Sequence, residues 1–197
     1  MQERRKVIVV TDGDKNAREA VEVAAGKVKA RCISVSEGNP SWLSGPELVE
    51  LITQAPYDPV VVMVDDKGDC HKGYGEKLLE YLDNSPDVEI IGAVAVASNE
   101  KEAPGIKVDY SVSQDGYLVK GAVSKTGVPY HNPRRTLKGD TVGVLKDLDL
   151  PVVIGTGDTG KMDGLDSMEM GAPITTKALE EILHQFKAQH GEIGQET

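Results

Sequence analysis

The chain has 197 residues, with 22 Lys plus Arg against 32 Asp plus Glu, and its formal net charge of −10 excludes a protein that neutralises a polyanion through a basic stripe. Apolar residues at 39% and charged ones at 27% are ordinary globular usage, which excludes intrinsic disorder and leaves material for one core. No apolar run approaches the roughly 20 residues that span a bilayer, and the N-terminus lacks the apolar stretch of a signal peptide.

Val/Ile runs of strand length alternate with helical patterns, the pattern of strands buried on both faces by flanking helices. The first strand is predicted at residues 6–11. Asp14 or Asn16 caps a helix in which Ala17, Ala20, Val21, Ala24 and Ala25 recur at three- and four-residue spacing before Gly26. A second strand is predicted at residues 31–36. Pro46 suits the first turn of the next helix, Leu48, Val49, Leu51 and Ile52 supply its apolar side, and Pro56 ends it. A strand at 59–64, a helix at 75–82 and a strand at 89–97 follow. Between 103 and 139 the pattern changes to short alternating pieces around Gln114-Asp115-Gly116, an inserted hairpin and loop. A short helix at 141–147, a strand at 151–154, a glycine-rich loop and a helix at 174–189 close the chain.

These elements predict a single α/β domain over residues 1–190, with the insertion at about 103–139 and a flexible tail at 191–197. Right-handed crossovers with helices on both faces imply a doubly wound, mostly parallel sheet of about five strands, Rossmann-like in its three layers and flavodoxin-like in strand order. Ligands in such sheets bind beyond the carboxyl ends of the strands. The unusual residues fall there: Asp12 and Asp14 after the first strand, Asp65 and Asp66 after the third, Ser98 and Asn99 after the fourth, and Gly157, Asp158 and Lys161 after the last. Carboxylates held close repel one another unless a cation compensates, and oxygen ligands of this kind suit Mg²⁺ or Ca²⁺. Asp12, Asp14, Asp65 and Asp66 are the candidate metal ligands. The alternative is that Asp12, Asp14 and Asp66 cap helices and turns while facing water and need no ion.

Two enzyme templates use comparable residues. Receiver domains place acids after strands one and three, a hydroxyl after strand four and a lysine after strand five, the places of Asp12, Asp65 or Asp66, Ser98 and Lys161. Toprim enzymes carry a strand-terminal Asp-x-Asp, which Thr11-Asp12-Gly13-Asp14 resembles, though no glutamate-bearing strand precedes it. The loop Gly155-Thr-Gly-Asp-Thr-Gly160-Lys161 meets a phosphate-loop spacing, but residue 162 is Met where Ser or Thr holds Mg²⁺, and the next helix lies about a dozen residues on. It reads instead as a flexible flap, with Lys161 placed to pair with the acids. Cys32 and Cys70 form no CxxC pair, and Cys70-His71 reads as loop composition.

Val9-Val-Thr-Asp-Gly-Asp14, Arg31-Cys-Ile-Ser-Val-Ser-Glu-Gly-Asn-Pro40, Leu43-Ser-Gly45 before Glu47-Leu-Val-Glu50, Val62-Met-Val-Asp-Asp-Lys-Gly68, Ala95-Val-Ala-Ser-Asn99 and Gly157-Asp-Thr-Gly-Lys-Met162 together resemble the soluble stage V sporulation protein AE family. The resemblance runs from the first strand into the last helix. It implies a spore protein associated with the system that moves dipicolinic acid, with its calcium, across the inner membrane and contributing to germination. It supplies no catalytic residues. The implied partners are membrane proteins of the stage V sporulation A system, with the chain soluble and peripheral to the membrane, neither inserted in lipid nor bound to nucleic acid. The expected role is that of a non-enzymatic accessory. A Mg²⁺-dependent phosphoryl-transfer or hydrolytic enzyme, or a sensor binding calcium dipicolinate near Lys67 and Lys161, are the alternatives.

Overall fold

A strand that alternates its side chains between two faces can feed two cores at once. The first strand does so in a computed structural model of the chain, which describes residues 3–67, 73–99, 105–132, 136–139 and 141–191. Val7 and Val9 face one core, Ile8 and Val10 the other. The strands are β1 (Arg5–Val10), β2 (Arg31–Cys32), β3 (Val60–Met63), β4 (Val88–Val96), β5 (Gly105–Ile106), β6 (Tyr110–Val112), β7 (Leu118–Lys120), β8 (Leu137–Lys138) and β9 (Val153–Thr156). The helices are α1 (Lys15–Lys27), α2 (Gly45–Thr53), α3 (Tyr74–Asp83) and α4 (Pro173–Gln189). Helices α1 and α4 cover Ile8, Val10, Met63, Val94 and Ile154. Helices α2 and α3 cover the opposite face, on Val7, Val9, Val62 and Ala95. The molecule is a three-layer α/β structure around a mostly parallel sheet, as its alternating pattern predicts.

The sheet runs β2-β3-β1-β4-β9-β6-β7. The strand order therefore departs from the flavodoxin-like expectation, because β3 lies between β2 and β1. Either order puts β2 at the edge; β1 and β3 are both buried apolar runs, so their pattern alone does not decide which of them lies beside it. At the edge, β2 pairs with β3 through Arg31 and Cys32 alone before the chain turns into a 3₁₀ helix at Ser34. There the Met63 amide donates to Ser36 Oγ at 2.9 Å, so a side chain continues the pairing that the backbone abandons.

The predicted hairpin forms, β6 against β7, and β6 also pairs in parallel with β9. The insertion thus extends the main sheet to seven strands instead of standing apart from it. The helix expected at 141–147 is a single 3₁₀ turn, Val144–Lys146. The last strand begins two residues later than its apolar run suggests, which carries it through Gly155 and Thr156 and sets Asp158 just beyond its end. Helix α1 buries Ala17, Ala20, Val21, Ala24 and Ala25, the residues its periodicity singles out. Helix α4 lies so close to β4 that a Cβ on Gly92 would sit 2.5 Å from Ile182 Cγ2, so glycine is required there.

Candidate functional site

Beyond Val10 the backbone leaves β1 between β3 and β4, and the next residues are held by side-chain staples. Thr11 Oγ1 accepts from the Val96 amide at 2.9 Å and donates to the Val94 carbonyl at 3.3 Å, which ties the ends of β1 and β4 together. Asp14 caps α1, its Oδ1 accepting from the Ala17 amide at 3.0 Å. After β3, the Asp65 amide donates to Ser41 Oγ at 2.8 Å. The carboxylate of Asp65 accepts from the Lys67 amide at 2.9 Å and from the Gly13 amide at 3.3 Å. After β9, the Asp158 amide donates to the Lys125 carbonyl at 2.7 Å, joining the insertion to the strand end.

The glycine-rich loop is pinned by hydrogen bonds, in contrast to the flexible flap expected of it. Gly160 has φ +74°, and a Cβ there would meet the Asn16 carbonyl at 2.2 Å, so only glycine lets the loop lie against the first turn of α1. That approach delivers Lys161 to the acids: its Nζ donates to Asp14 Oδ2 at 2.5 Å and to Asp158 Oδ1 at 3.1 Å. Lys125 Nζ lies 3.4 Å from Asp158 Oδ2. The result is a polar cavity of about 100 Å³ lined by Thr11, Asp12, Asp14, Asn39, Asp65, Val96, Ala97, Ser98, Lys125, Asp158 and Lys161. That is well above the roughly 10–15 Å³ one water needs.

Asp12 is the exception in this network. It is 8% exposed, its Oδ1 accepts only a long 3.4 Å contact from the Asp14 amide, and its buried Oδ2 has no hydrogen-bond partner. Burial raises its pKa well above the ordinary carboxylate value, the charges of Asp14, Asp158 and Asp65 raise it further, and Lys161 opposes them only in part. Around Asp14, burial works against the charged form, but the Lys161 ammonium and the Ala17 amide outweigh it and hold the pKa low. The same balance, read from the other side, holds Lys161 above the usual lysine value.

The structure gathers Asp12, Asp14, Asp65, Ser98, Asp158 and Lys161 from the predicted set into one cavity and leaves Asp66, Asn99 and Gly157 off its lining. Asp66 is buried, with Oδ1 accepting from the Gly75 amide at 2.6 Å in the first turn of α3. This bond is of the kind the helix-capping alternative expects. Asn99 is exposed. Gly157 packs against the insertion, where a Cβ would meet Gly127 N and Lys125 O at 2.7 Å. Lys67 lies off the lining too, and Cys70-His71 falls outside the described residues. Among the described residues, no three Asp, Glu, His or Cys side chains converge closely enough to chelate an ion.

The family model for stage V sporulation protein AE1 matches residues 6–186. The chain belongs to the stage V sporulation protein AE1 family. No curated protein and no solved structure matches it. Membership gives it a sporulation-related role, and the matched span includes every residue lining the cavity. No helix among the described residues is long and apolar enough to cross a membrane.

Asn39 and Lys125 of this family member line the cavity but belong to segments that sequence reasoning does not connect with it. Asn39 precedes a proline in a polar turn, a signal of a bend and not of a site. Lys125 belongs to the insertion, and nothing in its neighbours announces that it meets a strand end more than thirty residues on. A third residue, Asp166, lies outside the cavity but builds it. Its carboxylate accepts from the amides of Gly160, Ile174 and Thr175 and from the Thr175 hydroxyl, locking the loop to the start of α4. Its only sequence signal is an acid upstream of a helix that opens with Pro173.

Proposed function

We propose that the chain is an accessory protein of the stage V sporulation A membrane system in the spore, peripheral to the inner membrane and held there by protein partners. In this role it contributes to the movement of dipicolinic acid, with its calcium, during germination. The family match over residues 6–186 carries this reading. Attachment through proteins is supported by the lack, among the described residues, of a membrane-crossing helix, and by the net charge of −10, which repels anionic lipid. The test is affinity capture from detergent-solubilised spore inner membranes with the tagged chain as bait. Recovery of stage V sporulation A membrane proteins is expected, and a capture that repeatedly lacks them rejects the reading.

One observation favours a second reading. Asp12, Asp14, Asp65, Ser98 and Lys161 share one cavity, the side-chain types that a Mg²⁺-dependent phosphoryl-transfer or hydrolytic enzyme uses. That reading expects Mg²⁺-dependent turnover of a phosphoester, lost in Asp12→Asn. Absence of turnover across a panel of phosphomonoesters and phosphodiesters removes it.

A further inference from the structure

At the amino ends of the strands, the edge opposite the acidic cavity, Val28 at the end of α1, Leu183 and Phe186 on α4, and Pro59 and Ile91 from the sheet give a cavity of about 310 Å³ an apolar lining. A neighbouring cavity of about 350 Å³ shares Val28, Leu183 and Lys187 and continues along α4 by Glu180 and His184, so the two form one elongated groove. Val28 and Leu183 stay partly exposed in it. The chain carries a net charge of −10, yet this groove has a basic rim. Lys6, Lys29 and Lys187 line it with Asp58, and that carboxylate lies 3.5 Å from Arg5 Nε. Lys6 Nζ lies 3.5 Å from Glu3, and Glu180 lies 3.9 Å from Lys177. Lys29 and Lys187 make no ion pair among the described residues, which leaves two positive charges beside an apolar floor.

Lys29 is kept there at a conformational cost. The Ala30 amide donates to the Ala25 carbonyl at 2.8 Å and the Lys29 amide to the Gly26 carbonyl at 3.3 Å, the two bonds of a Schellman ending, and Lys29 takes its left-handed position at φ 59°. Glycine is the usual occupant, because a Cβ is disfavoured in that region. A strained residue that the fold does not need points to a task for its side chain. The negative ends of the α1 and α4 dipoles attract Lys29 and Lys187, but that attraction explains neither Lys6, on β1, nor the apolar lining. A small anion would leave the lining in water, and a neutral apolar molecule would leave the lysines without a counter-charge. An anionic bilayer would meet the repulsion of the whole chain, whereas a single molecule meets only the local charge. We propose that the groove binds a free anionic amphiphile of the fatty-acid class, its carboxylate taken by Lys29 and Lys187 and its hydrocarbon chain laid on Val28, Leu183 and Phe186. The inference concerns the chain without partners and goes beyond the accessory role, whose own test it leaves untouched.

The test is isothermal titration of the chain with decanoate below its micelle concentration. One site is expected, with an affinity that rises roughly fourfold for each added methylene that the groove buries between octanoate and decanoate. Acetate, which lacks the apolar body, should give no measurable heat, and decyltrimethylammonium, of the opposite charge, should bind roughly tenfold more weakly or worse. Lys29→Gly should weaken decanoate binding roughly threefold to fivefold, the range for an exposed charge, while raising Tm, because glycine suits φ 59°. That pairing of a more stable fold with weaker binding is one that a purely structural lysine does not produce. Lys187→Gln should weaken binding by a similar factor, and Lys15→Gln, in the first turn of α1, should leave it unchanged. Absence of decanoate binding, equal affinity for decyltrimethylammonium, or wild-type affinity in Lys29→Gly or Lys187→Gln overturns the proposal. A lowered Tm in Lys29→Gly contradicts the strain on which it rests. Co-sedimentation with phosphatidylglycerol vesicles without uptake of decanoate overturns the choice of a free ligand.

Discussion

Asp12 and Asp166 are both buried, at 8% and 0% exposure, and they lead opposite lives. Asp166 accepts four hydrogen bonds: at 2.8 and 2.9 Å from the amides of Ile174 and Thr175, 3.1 Å from Gly160, and 2.6 Å from the Thr175 hydroxyl. Asp12 accepts one, at 3.4 Å, and sits among three other carboxylates. The first charge is buried to build: it supplies the N-terminal cap that Ala172, in the left-handed region at φ 47°, does not provide. The second is buried without compensation, which folding alone does not favour. The contrast separates a carboxylate that holds the fold together from one that burial and like charges disfavour in its ionised form.

Substitutions at the two positions should therefore move stability in opposite directions. The largest effect is expected for Asp166→Ala, which strips three buried amides and a hydroxyl of their acceptor and should cost about 3–5 kcal/mol in urea unfolding. A cost below about 1 kcal/mol would show that the loop closes without it. Asp12→Asn, measured in chelator, should raise stability by about 1–2 kcal/mol, since a neutral amide replaces an uncompensated buried charge and can donate to the neighbouring carboxylates. A destabilised Asp12→Asn contradicts the contrast. Lys161→Met should cost about 1 kcal/mol, a modest figure because its side chain is a third exposed and solvent screens the pair.

The smallest effect sharpens the comparison by supplying an exposed carboxylate as reference. Glu47 completes a capping box with Ser44 at the start of α2, and its hydrogen bonds from the Ser44 hydroxyl and amide hold its pKa below the ordinary value. The folded pKa is depressed, so this contribution is fully present above the unfolded pKa of about 4.3 and is lost as pH falls through the folded pKa. Glu47→Gln should flatten the acid limb of a stability–pH profile there and leave the neutral region nearly level. An unchanged acid limb would show that the box is not formed.

The sequence-readable parts of this molecule are those governed by local periodicity and by the ends of strands. Helix α1 shows its buried face in Ala17, Ala20, Val21, Ala24 and Ala25, and Asp14 its cap, because both are set within a few residues. Six candidate residues share the cavity because the parallel strands bring their carboxyl ends to one edge of the sheet. What escaped depends on neighbours that periodicity does not encode. Both β1 and β3 are buried apolar runs, so periodicity does not say which lies beside β2, and Lys125 comes to the cavity in an insertion whose β6 pairs with β9. Adjacent aspartates also diverge: Asp65 lines the cavity while Asp66 accepts from the Gly75 amide in the first turn of α3.

The central claim is that burial and neighbouring acids set Asp12 apart from the paired carboxylates of the cavity. A carbon-detected NMR titration of the aspartate carboxyls tests it most directly. The account predicts that Asp12 titrates well above the ordinary carboxylate value of about 3.9 and Asp14 below it. An Asp12 that titrates at or below the ordinary value contradicts it.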